Sequence, residues 1–383
     1  MDELLAKYGI SLTAFLLSAG LIGLLIKPAR QLGWVDQPDV RKRHREPTPL
    51  VGGVAMCAAF CLTALLLPEK PQSYPLLLAG MMLLTLIGVY DDLRSIKPSI
   101  RFLFQGGAIL LMILEGKVVL NNLGDLFGLG EIALGGWAIG FTVFSAIGVI
   151  NAFNMSDGID GLAGGLALIA VGWLVILALA PPTHSDDTGF LLVLAAVIAG
   201  FLIYNLRHPW RTCAGVFMGD AGSTMLGFAL SWFMVHLSQS DPAVMTPMTA
   251  VWILALPLLD AVAVMIRRIR AGRSPFTADR QHLHHLLLSY GLSDGRCTAI
   301  LLVAASVSGA VGVAAYWMGV PDYVQFYLFI PVFLLYSVVT ALIWKRQQTT
   351  PLAATSIGED WRGSSAATPA DSMLQPMSQQ NRG

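Results

Sequence analysis

Along almost its whole length the chain repeats uninterrupted apolar stretches of roughly 17 to 25 residues, the length a helix needs to cross about 30 Å of hydrocarbon. Within a bilayer every backbone polar group must be satisfied internally, so only helices or a closed barrel can span it. These stretches are too long and too uniformly apolar for barrel strands. Composition agrees, because 383 residues at 55% hydrophobic and 13% charged carry more apolar surface than one soluble core could bury. The expected fold is therefore an all-α integral membrane protein. Eleven spans are predicted, at 8–27, 50–67, 74–90, 102–120, 132–150, 162–180, 189–206, 221–239, 247–266, 297–318 and 324–344.

An odd number of spans puts the termini on opposite sides, and the basic residues choose between the two orientations. Segments 27–49, 91–101, 207–220, 267–296 and 345–383 hold 21 of the 24 Lys and Arg residues, leaving Lys7, Lys70 and Lys117 for the other side. The positive-inside rule makes the first set cytoplasmic and puts the amino terminus outside. Asp2 and Glu3 precede the first span where a signal peptide would be basic, so that span is expected to be retained. Four cysteines, two of them inside an apolar span, do not suggest a disulfide framework. The two regions expected are a membrane domain over 1–346 and a disordered cytoplasmic tail over 347–383, whose Thr, Ser, Gln, Pro and Ala content cannot bury enough surface to fold.

The outer connections read as turns, whereas the inner loops concentrate Asp, Asn, His, Arg and Gly. The first carries Arg41, Lys42, Arg43, His44 and Arg45 ahead of Pro47, Pro49, Gly52 and Gly53. Such a run can signal topology and attract anionic headgroups, or it can hold diphosphate oxygens. The second carries Asp91 and Asp92 where the third span ends. Carboxylates at a helix carboxyl terminus oppose the macrodipole, a placement that needs a reason. Adjacent helical residues point about 100° apart, so one Asp can face a reaction centre while the other orients it or helps with a cation.

The third loop runs from Asn151 and Asn154 through Asp157, Gly158, Asp160 and Gly161 to Gly164 and Gly165. Asp157 and Asp160 would share a face if this segment were a helical turn. A calcium loop of the EF-hand type would need more ligands and a closing Glu. The fourth loop ends Phe217-Met-Gly-Asp220-Ala-Gly-Ser223 and feeds a span. A helix start of this kind frees backbone N–H groups for phosphate, and Asp220 is a hard oxygen ligand of the sort Mg²⁺ takes. Phe217 could stack on a base or anchor the membrane boundary. The fifth loop contains Arg267, Arg268, Arg270, Arg273, Asp279, Arg280, His282, His284 and His285. No Cys or HExxH partner accompanies the histidines, which favours phosphate and sugar contacts over zinc. Asp260 sits inside the ninth span, where a carboxylate is a functional suspect unless it pairs with an arginine of its own helix end.

Taken together, Asp91-Asp92, the Asn-rich loop with Asp157 and Asp160, Phe-Met-Gly-Asp-Ala-Gly-Ser and His282-Leu-His284-His285 closely resemble the polyprenyl-phosphate N-acetylhexosamine-1-phosphate transferases, over roughly residues 8 to 344. Four motifs in this order on one membrane face are highly specific. The resemblance implies a UDP-linked N-acetylhexosamine reacting with undecaprenyl phosphate, with Mg²⁺ as cofactor and Mn²⁺ as a substitute, in a bacterial inner membrane. The branch using UDP-N-acetylmuramoyl-pentapeptide shows three consecutive histidines and then an acidic residue. This chain has His-Leu-His-His, which looks like the branch that transfers N-acetylglucosamine-1-phosphate and initiates O-antigen or related envelope polymers.

Carried over by resemblance, Asp220, Asp92 and Asp157 would hold the metal, and one of Asp91 and Asp92 would position or deprotonate the lipid phosphate or act as a covalent nucleophile. Asn154, Asp157, Asp160, Asn205 and Phe217 would hold the nucleotide. Lys42 and His44 would meet the diphosphate, with Arg268, Asp279, Arg280, His282, His284 and His285 on the sugar phosphate. The stretch between Asn205 and Phe217 is longer than in the pentapeptide branch. A homodimer is a family expectation, and no nucleic-acid partner is expected. A secondary transporter would place its charged site near the midplane, and a scaffold would need only the basic loops; neither accounts for ordered acidic motifs at the inner mouths of spans.

Overall fold

A computed structural model describes residues 2–37, 46–68, 71–180, 187–208, 211–274 and 281–349. Lys42, His44, Asp279, Arg280 and almost all of the expected tail lie outside the described residues. The helices are α1 (Asp2–Leu32), α2 (Gly52–Ala64), α3 (Tyr74–Arg94), α4 (Pro98–Leu114), α5 (Ala138–Ser156), α6 (Leu162–Leu179), α7 (Thr188–Asn205), α8 (Gly219–Gln239), α9 (Pro247–Ile253), α10 (Ala255–Arg270), α11 (Leu283–Ser289), α12 (Asp294–Trp317) and α13 (Asp322–Thr349). One short antiparallel pair, β1 (Val35–Asp36) with β2 (Thr48–Pro49), brackets the first inner loop. The chain is an all-α integral membrane protein.

Each of the eleven expected spans overlaps a helix, but among the described residues the count of helices long and apolar enough to cross a membrane is seven, or eight with the bent pair α9–α10. The difference has physical causes. Helix α2, with 13 residues, and α4, with 17, reach only about 20 and 26 Å at 1.5 Å per residue. Helix α8 is long enough, yet it carries Asp220, Ser223, Thr224, Ser231, His236, Ser238 and Gln239. It can do so because it is buried along nearly its whole length and meets protein rather than lipid. The expected span at 247–266 is bent by 81° at Leu254. Pro257 has no N–H to give the carbonyl of Ile253, so the ladder cannot run through that point.

Helix α8 lies against α2, α3 and α5. Small residues permit this closeness: a side chain at Gly53 or Gly88 would collide with the backbone of Gly222 or Ala221, and one at Gly227 would meet the Cα of Ile150 at 2.6 Å. Phe228, Trp232 and Phe233 fill the core on its other turns. The start of α2 is tied to the segment before α8 by backbone bonds from Gly52 N to Phe217 O (3.0 Å), Gly53 N to Met218 O (3.1 Å) and Phe217 N to Pro49 O (2.9 Å). The first inner loop thus leads directly to the Phe-Met-Gly-Asp segment. By its contacts the chain divides into residues 1–337, which contain the candidate site, and residues 338–383, which comprise the end of α13 and the carboxyl-terminal segment.

Candidate active site

The amino terminus of α8 leaves backbone N–H groups without intrahelical partners. One of them is capped from a different helix: Asp92, in the last turn of α3, accepts a hydrogen bond from Asp220 N at 2.9 Å through Oδ1. Here the carboxylate meets the positive end of the α8 dipole, which offsets its unfavourable place at the end of α3. Gly219 makes the contact possible. Its φ of +67° belongs to the left-handed region, and a Cβ there would collide with Asp92 Oδ2. That second oxygen is shut off from solvent and has no hydrogen-bond partner among the described residues.

Asp91 points elsewhere, as adjacent residues on a helix must. Its Oδ1 accepts from Ile96 N (2.8 Å) and Arg101 Nη2 (3.1 Å), while Oδ2 is in direct contact with Arg101 Nε. Arg101 stands in the first turn of α4, just after Pro98 opens that helix. Its third nitrogen, Nη1, lies 3.5 Å from Asp220 Oδ2. One guanidinium therefore pairs with Asp91 and leans toward Asp220. With 36% of its side chain exposed against 2% for Asp91, it is the outward member of the pair. The other oxygen of Asp220 accepts from Asn154 Nδ2 at 2.6 Å, and the same amide reaches Ser223 Oγ at 3.0 Å. Loops two, three and four thus converge on Asp220.

Helix α5 stops at Ser156, so Asp157 and Asp160 do not share a helical face as a helical turn would have placed them. The Asp157–Gly161 segment is a turn, and Gly161 closes it at a φ of +78°. The two carboxylates go separate ways. Asp157 is pushed up to about 8, first by burial and then by the negative charges of Asp220, Asp92 and Asp160. Asp160 accepts from Arg207 Nε (2.7 Å) and Ala214 N (2.9 Å), and Arg207 Nη2 also holds Asp294 at 2.6 Å. Asn205 is buried; it accepts from Gly161 N (2.8 Å) and donates to Val216 O (2.9 Å). Asp160 and Asn205 hold the loops together, while Asp157 joins the acidic cluster.

The histidine segment approaches from the side. His284 lies over Gly158, so closely that a Cβ at Gly158 would collide with its Nε2. His282 and His284 stack at 5.9 Å with planes 8° apart, and His285 tilts against His284 at 4.2 Å. Arg268 is buried, with Nη2 3.4 Å from His282 Nε2. Phe217 is half-buried beside the start of α2. Arg101 is the residue that sequence reasoning missed as part of the site, having counted it only as a topology signal.

Among the described residues no three His, Cys, Asp or Glu side chains close into a ready coordination shell. The donor set nevertheless suits a hard divalent cation that keeps its own waters and takes one or two carboxylates plus ligand phosphates. The orphaned Oδ2 of Asp92, the partly exposed Asp220 and the repulsion felt by Asp157 are all relieved by one positive charge placed among them.

A polytopic all-α membrane protein with a carboxylate cluster and a paired arginine at one end of its bundle is the class that fold and site define. Residues 74–238 match the family described as glycosyl transferase family 4. The undecaprenyl-phosphate alpha-N-acetylglucosaminyl 1-phosphate transferase of Escherichia coli K12 is 37% identical over 338 residues, covering 87% of this chain and 91% of that protein. The enzymes of the same name from Yersinia pestis, 36% identical over 332 residues (86% and 90% covered), and Pasteurella multocida, 36% identical over 338 (88% and 94%), are similar to the same extent. The chain belongs to glycosyl transferase family 4.

Proposed function

We propose that the chain transfers N-acetylglucosamine-1-phosphate from UDP-N-acetylglucosamine to undecaprenyl phosphate, giving undecaprenyl-diphosphate-N-acetylglucosamine and UMP. The observation that carries this reading is the meeting of Asp92, Asn154, Asp157 and Asp220 with Arg101 at one end of the bundle. The named activity of relatives aligned over most of this chain supports the two substrates. In the transfer, an oxygen of the lipid phosphate attacks the β-phosphorus of the donor. A new P–O bond forms as the bond to the bridging oxygen breaks, and the electron pair leaves with UMP.

Asp92, Asp157 and Asp220 would hold Mg²⁺, which when bound supplies positive charge to the diphosphate and its leaving group. Asn154 fixes one Asp220 oxygen, leaving the other toward the open side. A phosphate monoester has a second pKa of about 6, so the attacking oxygen is already ionised at neutral pH and needs no strong base. Asp91, with both oxygens engaged, suits the task of aiming Arg101, whose exposed guanidinium can take phosphate oxygens. Lys42 and His44 would add to that charge, and the histidine segment with Arg268, Asp279 and Arg280 would meet the sugar phosphate. The crowding of basic residues into these loops supports a cytoplasmic location for this end of the bundle, in a bacterial inner membrane. A homodimer belongs to the same proposal.

Purified protein given Mg²⁺, undecaprenyl phosphate and UDP-N-acetylglucosamine should release UMP, and Asp220→Asn should abolish release. UDP-N-acetylgalactosamine and UDP-N-acetylmuramoyl-pentapeptide in parallel should be poor donors. Preference for either would reassign the sugar, and no lipid-dependent release from any donor would overturn the proposal.

A further inference from the structure

Asp260 lies on α10, buried within the bundle, where an isolated carboxylate is costly. Among the described residues its direct partners come from beyond its own helix. Oδ1 accepts from Leu283 N at 2.9 Å and from Tyr336 Oη at 2.8 Å, and Oδ2 lies 2.9 Å from His282 Nδ1. The other ring nitrogen of His282 faces Arg268 Nη2 at 3.4 Å. A guanidinium has only N–H groups to offer, so in this contact Nε2 is the acceptor and the Nδ1–H donates to Asp260. The imidazole is thus strung between a buried carboxylate and a buried guanidinium eight residues further along the same helix.

This arrangement has a consequence one residue pair away. His284 stacks parallel to His282 and in turn rests on Gly158, the neighbour of Asp157 in the acidic cluster. Rotation or tautomer change at His282 would therefore be passed to the imidazole beside the reaction centre. We infer that Asp260, completed by Tyr336, is a positioning residue for the histidine segment and acts through His282, not by touching substrate. The inference rests on the transfer reaction proposed above.

The test is a double-mutant cycle in the full-length protein, reading kcat and KM for UDP-N-acetylglucosamine at saturating lipid and Mg²⁺. Asp260→Asn should lower kcat about tenfold or more with KM little changed, and Tyr336→Phe should lower it by a smaller factor. Combined with His282→Ala, neither should slow the enzyme beyond His282→Ala alone, since both act through that ring. A purely structural role would lower the melting temperature and make the losses multiply. Multiplying losses, or full kcat in Asp260→Asn, would overturn the inference. Should Asp260→Asn not fold, Tyr336→Phe, which removes one hydroxyl, carries the same cycle. Ring ¹⁵N shifts of His282 give a reading independent of turnover: the Nδ1–H tautomer in the parent protein, lost in Asp260→Asn. If the parent protein releases no UMP, it is the reaction that fails, and the tautomer measurement still decides the positioning.

Discussion

Asp92 acts on α8 as an N-cap does within a single helix, except that the carboxylate comes from α3. The contact is only as good as the glycine that admits it. Gly219→Ala should place a Cβ against Asp92 Oδ2, at a left-handed φ that itself costs roughly 1–2 kcal/mol, and the displaced cap would shift Asp220. UMP release should fall on the order of 100-fold, a loss typical of misplacing a catalytic group by about 1 Å. Unchanged release would mean that the Asp92–Asp220 contact is not needed for activity. Asp157 offers a second handle. Its folded pKa of about 8 lies above the ordinary carboxylate value, so between the two the folded protein binds more protons than the unfolded one. Stability of the metal-free protein should therefore fall as pH rises from about 4 to about 8, the reverse of a salt-bridged aspartate. Thermal melts in chelator should show that slope, Asp157→Asn should flatten it, and Mg²⁺ should oppose it. A melting temperature that climbs with pH in the parent and not in the variant would contradict the assigned environment.

At the scale of elements, the loops are held by polar side chains that look, in one dimension, like ligands. Asn205 joins Gly161 to Val216, so Asn205→Leu should leave a buried N–H and a buried carbonyl unpaired at about 1–3 kcal/mol each and lower the melting temperature. A raised KM for the nucleotide at an unchanged melting temperature would instead make it the contact expected from its motif. The convergence of Asp92, Asn154, Asp157 and Asp220 was legible because each motif lay at the inner mouth of a span, and spans are legible from apolar length alone. The division of labour within motifs was not. Whether Asp160 faces ligand or Arg207 depends on the turn after Ser156, which two glycines make possible without dictating. Arg101 was hidden because a basic residue at a span boundary has an ordinary topological explanation. Helices α2, α4 and α8 were recognisable as segments, but their lengths and burial, which separate lipid-crossing helices from interior ones, come only from packing.

At the scale of the whole molecule, the described part of residues 1–337 brings four sequence-distant loops to one end of a group of helices packed on the buried α8. The side on which that end lies can be read with the chain's own thiols. Cys57 and Cys297 are buried and Cys213 is exposed, on the segment linking α7 to α8. A membrane-impermeant maleimide should label Cys213 in inside-out vesicles and not in intact spheroplasts; the reverse pattern would invert the topology. Which bond breaks at the acidic cluster is read by following the β-phosphate. With UDP-N-acetylglucosamine labelled with ³²P at that phosphate, label should appear in the lipid product and unlabelled UMP in solution, with both lost in Asp220→Asn. Label remaining with a released nucleoside diphosphate, while sugar alone moves to the lipid, would contradict the proposed transfer.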